Sequence, residues 1–255
     1  DKKVMAAIGP QLKVVSNMAA GTDNIDTKEA KKRKIVVANT PGVLTQAVAE
    51  HTIALLLSLS RRIVEGDSFV RKGKYKGWKP DLLLGSELEG KTLGIVGHGR
   101  IGCRVADILH KGFGMRVLYY DVKGPRVHEV CGAKKGSLKE LLRRVDVVSL
   151  HVPLLPSTHH LISAKELKGM KKTALLLNTA RGGVVNERVL VSALRGGGIA
   201  GAALDVFEEE PKLAPGLAKL SNVVLTPHIA SASHEARLAM AELAAKNVIL
   251  VLENL

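Results

Sequence analysis

Thr92-Leu93-Gly94-Ile95-Val96-Gly97-His98-Gly99-Arg100-Ile101-Gly102 decides how the rest of the chain is read. An apolar run ends in a G-x-G-x-x-G turn. A helix-like segment follows from Arg100 to Lys111, with Ile101, Val105, Ile108 and Leu109 on one face. The next apolar run, 115–120, ends at Asp121, 24 positions after Gly97. Strand, glycine turn, helix and a delayed acid form the physical recipe for holding a dinucleotide. Gly97 permits the tight turn, Gly99 lets the backbone approach a pyrophosphate, and Gly102 lets the helix lie close to the strand. The helix N-terminus then offers N–H groups and a positive dipole end to the phosphates. The carboxylate of Asp121 suits ribose hydroxyls and repels a 2′-phosphate, which favours NAD over NADP. Lys123 and Arg126 follow closely and soften that preference, so NADP stays open.

Further along, strand-like and helix-like segments alternate. Runs at 92–97, 116–120, 146–151, 173–178, 200–204 and 222–226 are apolar on nearly every residue, as in parallel strands covered on both faces. Ser137…Glu140 and Ser163…Glu166 fit capping boxes, Asn186 fits an N-cap, and Gly196-Gly197-Gly198 stops the helix ending near Arg195. The class implied is α/β, a doubly wound parallel (Rossmann) sheet.

The front of the chain reads as a different, smaller unit. Strands are expected at 12–16 and 35–38, with a basic helix between them at about 27–34. One long apolar helix is expected from Thr45 to about Glu65, and a last helix from about Ser233 to Asn254. Thr40-Pro41-Gly42-Val43 reads as a hinge, with a second crossing near 230–232. The expected division is therefore 1–43 with 232–255 in one domain and 44–231 in the dinucleotide-binding domain.

Bulk properties narrow the function classes. With 255 residues and 46% hydrophobic content, the chain can bury a sizeable core. No apolar run reaches the roughly 18 residues of a membrane span, and no signal-peptide pattern opens the chain. The first residue is Asp1, so a longer natural chain is expected. Cys103 and Cys131 form no disulfide framework, which fits a reducing, cytoplasmic setting. The net charge of +14 is concentrated in front, in runs such as 31–34 and 71–74. With only seven aromatic residues, a base-stacking surface for nucleic acid is disfavoured. A solvated basic face that attracts anionic ligands fits better.

In an open parallel sheet, ligands sit beyond the carboxyl ends of the strands. Three polar groups fall there: Asn178-Thr179-Ala180-Arg181-Gly182, Asp205 through Pro211, and Thr226-Pro227-His228. Alone, each reads as an ordinary loop. Together, behind a dinucleotide turn, they supply what hydride transfer to a 2-keto acid needs. Arg clamps the carboxylate with a planar fork, His delivers a proton at neutral pH, and a neighbouring carboxylate holds that His in place. The adjacent His159 and His160 are not expected to share a metal, and no metal site is expected.

These motifs, with Thr226-Pro227-His228-Ile229-Ala230, resemble the D-isomer-specific 2-hydroxyacid dehydrogenase family over essentially the whole chain. The resemblance implies Arg181 at the substrate, His228 as acid/base and Glu210 as its partner. It implies cofactor contacts from Gly97, His98, Gly99, Arg100, Ile101, Gly102, Asp121, Thr179, Ala180 and Ala230. Asp205 is expected at the nicotinamide carboxamide, and His151 and Pro153 on the adenosine side. Within the family the chain is most similar to glyoxylate/hydroxypyruvate reductases. The segment around Ala20 and Gly21 resembles the loop whose amides hold the substrate carboxylate. Trp78 resembles a side chain that reaches into a neighbouring subunit's site. Members carry a further segment before residue 1, so the smaller, flavodoxin-like substrate domain is expected to be truncated.

The resulting expectation is an NAD-dependent reductase of a small 2-keto acid, with domain closure excluding water. Glyoxylate or hydroxypyruvate is favoured as substrate. A homodimer through helix 45–65 is expected. The alternatives are a dinucleotide-sensing, corepressor-like binding protein and a phosphoglycerate dehydrogenase-like enzyme. A formate dehydrogenase-like reading is disfavoured, because relatives of that type place an amide beside the histidine.

Overall fold

The computed structural model describes residues 1–123 and 132–254. Arg126 and Cys131 lie outside the described residues. The chain forms two compact units, 1–47 with 231–255 and 48–230. The expected boundaries were 43/44 and 231/232.

In chain order the elements are α1 (Lys2–Ile8), β1 (Val14–Asn17), α2 (Thr27–Lys32), β2 (Val36–Asn39), α3 (Thr45–Ser60), α4 (Ile63–Arg71), β3 (Thr92–Val96) and α5 (Arg100–Phe113). There follow β4 (Arg116–Tyr120), β5 (Lys134–Lys135), α6 (Leu138–Arg144), β6 (Val147–Leu150), α7 (Ala164–Gly169), β7 (Leu175–Asn178), α8 (Glu187–Arg195), β8 (Gly201–Leu204), β9 (Val223–Leu225) and α9 (His234–Glu253).

The smaller unit is a parallel β1–β2 pair against which α9 packs. Met5, Ala30 and Ile35 form its small core, with Leu12, Val15, Ile25 and Val37 around them. The loop after β1 is fixed by side-chain amides. Asn17 Nδ2 donates to Gly21 O (2.7 Å) and Asn39 Nδ2 donates to Ala20 O (2.6 Å). The short helix α1 carries too little periodicity to stand out in the sequence.

The larger unit is a seven-stranded parallel sheet in the order β5-β4-β3-β6-β7-β8-β9. The six expected strands are present, each trimmed by up to two residues. All five residues of β3 are buried, which accounts for its unbroken apolar run. Two hydrophobic layers cover the sheet. Leu141, Leu142, Leu167, Leu190 and Leu194 pack on one face, and Ile53, Leu56, Val105 and Leu109 on the other. The order reverses between β3 and β6, so their carboxyl ends flank the crevice where such sheets take ligands.

The long helix expected from Thr45 to about Glu65 is two helices. Arg62 adopts left-handed φ 53°, ends α3 and starts α4. The apolar side chains of α3 are spent inside the larger unit, where Ala49, Ile53, Leu55 and Leu56 join its core. By contrast α4 buries none of its residues.

Candidate active site

The glycine turn is built as steric necessity demands. Gly97 has φ 97°, and a Cβ there would stand 2.6 Å from His151 O. A Cβ on Gly102 would collide with Gly97 O and Ile95 Cγ2. At Gly99 a Cβ would meet nothing within 4 Å, so open space lies in front of the turn. No side chain caps the 14-residue helix that begins there. Asp121 closes the turn: Oδ2 accepts from His98 N (2.9 Å) and Oδ1 from Lys123 N (2.8 Å). Each oxygen keeps further acceptor capacity. Open space, an uncapped helix N-terminus and an anchored carboxylate fit the pyrophosphate and ribose of a dinucleotide.

Not every expected contact residue turns its side chain that way. The His98 ring is fully buried and stacked on Tyr119 (4.2 Å between centroids). Arg100 is exposed at the helix start and Ile101 is half-buried. At the end of β6, His151 Nε2 lies 2.8 Å from Ser149 Oγ, and burial pushes its pKa down to about 3. His151 is thus a neutral ring at working pH. Pro153 is exposed, and its carbonyl accepts from Thr158 Oγ1 (2.6 Å).

Beyond β7 the Asn178 side chain clamps the loop. Ala180 N–H donates to its Oδ1 (3.1 Å), and its Nδ2 donates to Arg181 O (2.9 Å). Thr52 Oγ1 donates to Val48 O, so the 2.9 Å contact between Thr52 and Thr179 is donated by Thr179. Arg181 Nη1 donates to Ala180 O (2.7 Å). The next residue, Gly182, abuts the Phe207 backbone so closely that any Cβ would overlap the Phe207 carbonyl. That contact locks the arginine's loop onto the loop after β8.

The loops after β8 and β9 are joined in turn. Glu210 Oε1 accepts from Phe207 N (3.0 Å), and its Oε2 faces His228 Nδ1 at 2.9 Å. A carboxylate only accepts, so Nδ1 carries the proton and Nε2 is the imidazole nitrogen left for other work. The ring stays accessible, at 51% side-chain exposure. His228 also has left-handed φ 55°, and its N–H is held by Asp205 O (2.8 Å). Such strain in a non-glycine residue persists only where neighbours over-determine it.

Asp205 supplies that over-determination. Its side chain is fully buried, and its carboxylate accepts from Thr226 Oγ1 (2.6 Å), Ile229 N (2.9 Å) and Ala230 N (2.8 Å). Because the Thr226 hydrogen goes to Asp205, His51 Nε2 donates to Thr226 Oγ1 (3.1 Å) and sits 3.4 Å from Asp205 Oδ1. Burial alone would raise the Asp205 pKa, but the bonds from His51, Thr226, Ile229 and Ala230 leave it below the ordinary value. The carboxylate expected at a nicotinamide carboxamide is thus also tied to the His228 loop by three internal hydrogen bonds. Ala230 likewise has its N–H committed to Asp205. His51 was not singled out in the sequence, because its pairing with Thr226 spans 175 positions. Ala20 and Gly21 belong to the smaller unit. Trp78 is 80% exposed.

A doubly wound sheet with a dinucleotide turn and a histidine–carboxylate pair beside an arginine loop defines a dinucleotide-dependent oxidoreductase. Residues 53–230 match the family model described as D-isomer specific 2-hydroxyacid dehydrogenase, NAD binding domain. The chain is 55% identical over 245 residues to a glyoxylate reductase of Thermococcus litoralis, covering 94% of this chain and 74% of that protein. It is 54% identical over 247 residues to a glyoxylate reductase of Aeropyrum pernix, covering 94% and 73%. A crystal structure of the NADPH-dependent glyoxylate/hydroxypyruvate reductase of Sinorhizobium meliloti, in complex with NADP and malonate, is also similar. It superposes with TM-score 0.87 at 38% identity, covering 94% of this chain and 74% of that one. The chain belongs to the D-isomer specific 2-hydroxyacid dehydrogenase family. It is an oxidoreductase that passes a hydride between a nicotinamide dinucleotide and a 2-hydroxy acid.

Proposed function

We propose that the chain reduces glyoxylate, with hydroxypyruvate as a second substrate, and prefers NADH. The observation that carries this reading is the 2.9 Å pairing of His228 Nδ1 with Glu210 on loops locked to that of Arg181. A bound reduced dinucleotide supplies the hydride for substrate C2. Arg181 clamps the substrate carboxylate and polarises the keto group. His228 gives its Nε2 proton to the forming alkoxide while Glu210 stabilises the imidazolium. Asp205, Thr226 and His51 form the bonded support of the strained backbone that presents His228. The Asp121 carboxylate, fixed by two backbone N–H groups, disfavours a 2′-phosphate. Loss of the reduced dinucleotide's absorbance with glyoxylate, compared across a panel of 2-keto acids, tests the substrate. A flat response to glyoxylate and hydroxypyruvate refutes it.

A homodimer is supported by α4 rather than by the apolar stripe of α3. Ile63, Val64 and Val70 on α4 stay more than half exposed, as does Leu84. A cavity of about 810 Å³ lies beside them, lined by Leu59, Val64, Phe69, Leu84 and the amino ends of β6–β9. A second copy covering this face would remove apolar surface from water. Light scattering at micromolar concentration should give twice the chain mass. Among the described residues no helix is long and apolar enough to cross a membrane. Cys103, a buried thiol, supports a reducing compartment such as the cytoplasm.

A further inference from the structure

Two residues before Glu210, Glu208 meets a different set of partners. Its Oε1 accepts from His160 Nε2, and its Oε2 accepts from Glu187 N (3.2 Å). Successive side chains on a regular strand diverge, so adjacent histidines are poor co-ligands. His160 breaks that rule through its left-handed φ of 51°. Its N–H is pinned to Gly183 O (2.8 Å). The His159 and His160 rings therefore stack, with centroids 3.9 Å apart and planes inclined by 30°. Ligand atoms of His159, His160 and Glu208 all lie within 4.8 Å of one another, the one such grouping among the described residues.

We propose that His159, His160 and Glu208 form a binding site for a divalent transition-metal ion, zinc foremost. Two imidazole nitrogens and one carboxylate oxygen are the donor set of borderline-soft ions. Metal–ligand bonds of about 2.0–2.2 Å require ligand atoms ~3.4 Å apart in a tetrahedron, so the hydrogen-bonded His160–Glu208 pair opens while the His159 nitrogen moves in from within 4.8 Å. The ion takes the place of the proton between His160 Nε2 and Glu208 Oε1. Glu187 N–H keeps hold of the other carboxylate oxygen and orients it, as outer-sphere donors do. The exposed ring of His159 leaves an entry path and a position for water. Such an ion ties the segment around residue 160 to the loop that carries Glu210. The site shares no side chain with Arg181, Glu210 or His228, so it stands independently of the proposed substrate.

The test is metal uptake by the tag-free full chain near neutral pH, by calorimetry with zinc chloride and by the visible absorption of added cobalt(II). Expected are one equivalent of zinc bound in the micromolar range and an intense cobalt band of four-coordinate type. His159→Ala and Glu208→Gln should each weaken binding about tenfold or more. His159 is exposed, so its variant folds and carries the test even if Glu208→Gln does not. Absence of stoichiometric uptake at micromolar zinc overturns the proposal, as does undiminished affinity in His159→Ala.

Discussion

Glu210 divides its carboxylate between two loops, with Oε1 on the Phe207 N–H (3.0 Å) and Oε2 on His228 Nδ1 (2.9 Å). One side chain thus fixes the shape of its own loop and the orientation of the imidazole. Glu210→Gln keeps an acceptor for Phe207 but presents no charge to an imidazolium. Its kcat should fall about 10–100-fold with the dinucleotide KM unchanged, in steady-state assays. An unchanged kcat would mean that the pair only shapes the loop.

Asp121 is held by the His98 and Lys123 amides at the end of β4. Asp121→Asn keeps the acceptor geometry and removes the charge. The ratio of kcat/KM for NADPH to that for NADH should rise about tenfold. A ratio that does not move would place cofactor discrimination elsewhere.

His151 provides a pH test of the fold. Burial lowers its pKa to about 3, below the ordinary value of about 6.5. Above about pH 6.5 neither the folded nor the unfolded ring is charged, and the group contributes nothing to pH dependence. As the pH falls below that, the unfolded chain takes up a proton that the folded ring refuses, and stability is lost. At about pH 5 the loss is about 2 kcal/mol. His151→Asn should shrink the difference between urea-unfolding free energies at about pH 7.5 and about pH 5 by that amount. An identical difference in both proteins would contradict the neutral assignment.

The sheet was legible because its strands are covered on both faces, so β3, β6 and β7 read as runs apolar on nearly every residue. The exception is β5, two exposed lysines with no apolar signal. Helix starts were legible where a side chain caps them, as Ser137, Asn186 and Ser233 do. The break at Arg62 was hidden because Ile63 and Val64 continue the apolar pattern across it, and only a backbone angle ends α3. Arg181 and His228 stood out as polar residues just past strand ends, and Glu210 was set apart from its acidic neighbours by the family resemblance alone. The buried side of the site did not stand out. Asp205 reads as one more strand-end acid, and only its hydrogen bonds to Thr226, Ile229 and Ala230 reveal a buried support for the His228 loop. The left-handed turn at His160 has no signature in residue type, so the stacking of its ring on His159 emerged only in three dimensions.

The most direct measurement compares the intact chain with its His228→Ala and Arg181→Ala variants. Glyoxylate-dependent oxidation of NADH is followed by absorbance, and NADH affinity by fluorescence. Expected is a fall in kcat/KM of about 100-fold or more for each variant, with NADH affinity held within about twofold, because the glycine turn and Asp121 are untouched. Undiminished turnover in either variant, or an intact chain that binds NADH and turns over no 2-keto acid, would contradict acid–base catalysis at His228 beside an arginine clamp.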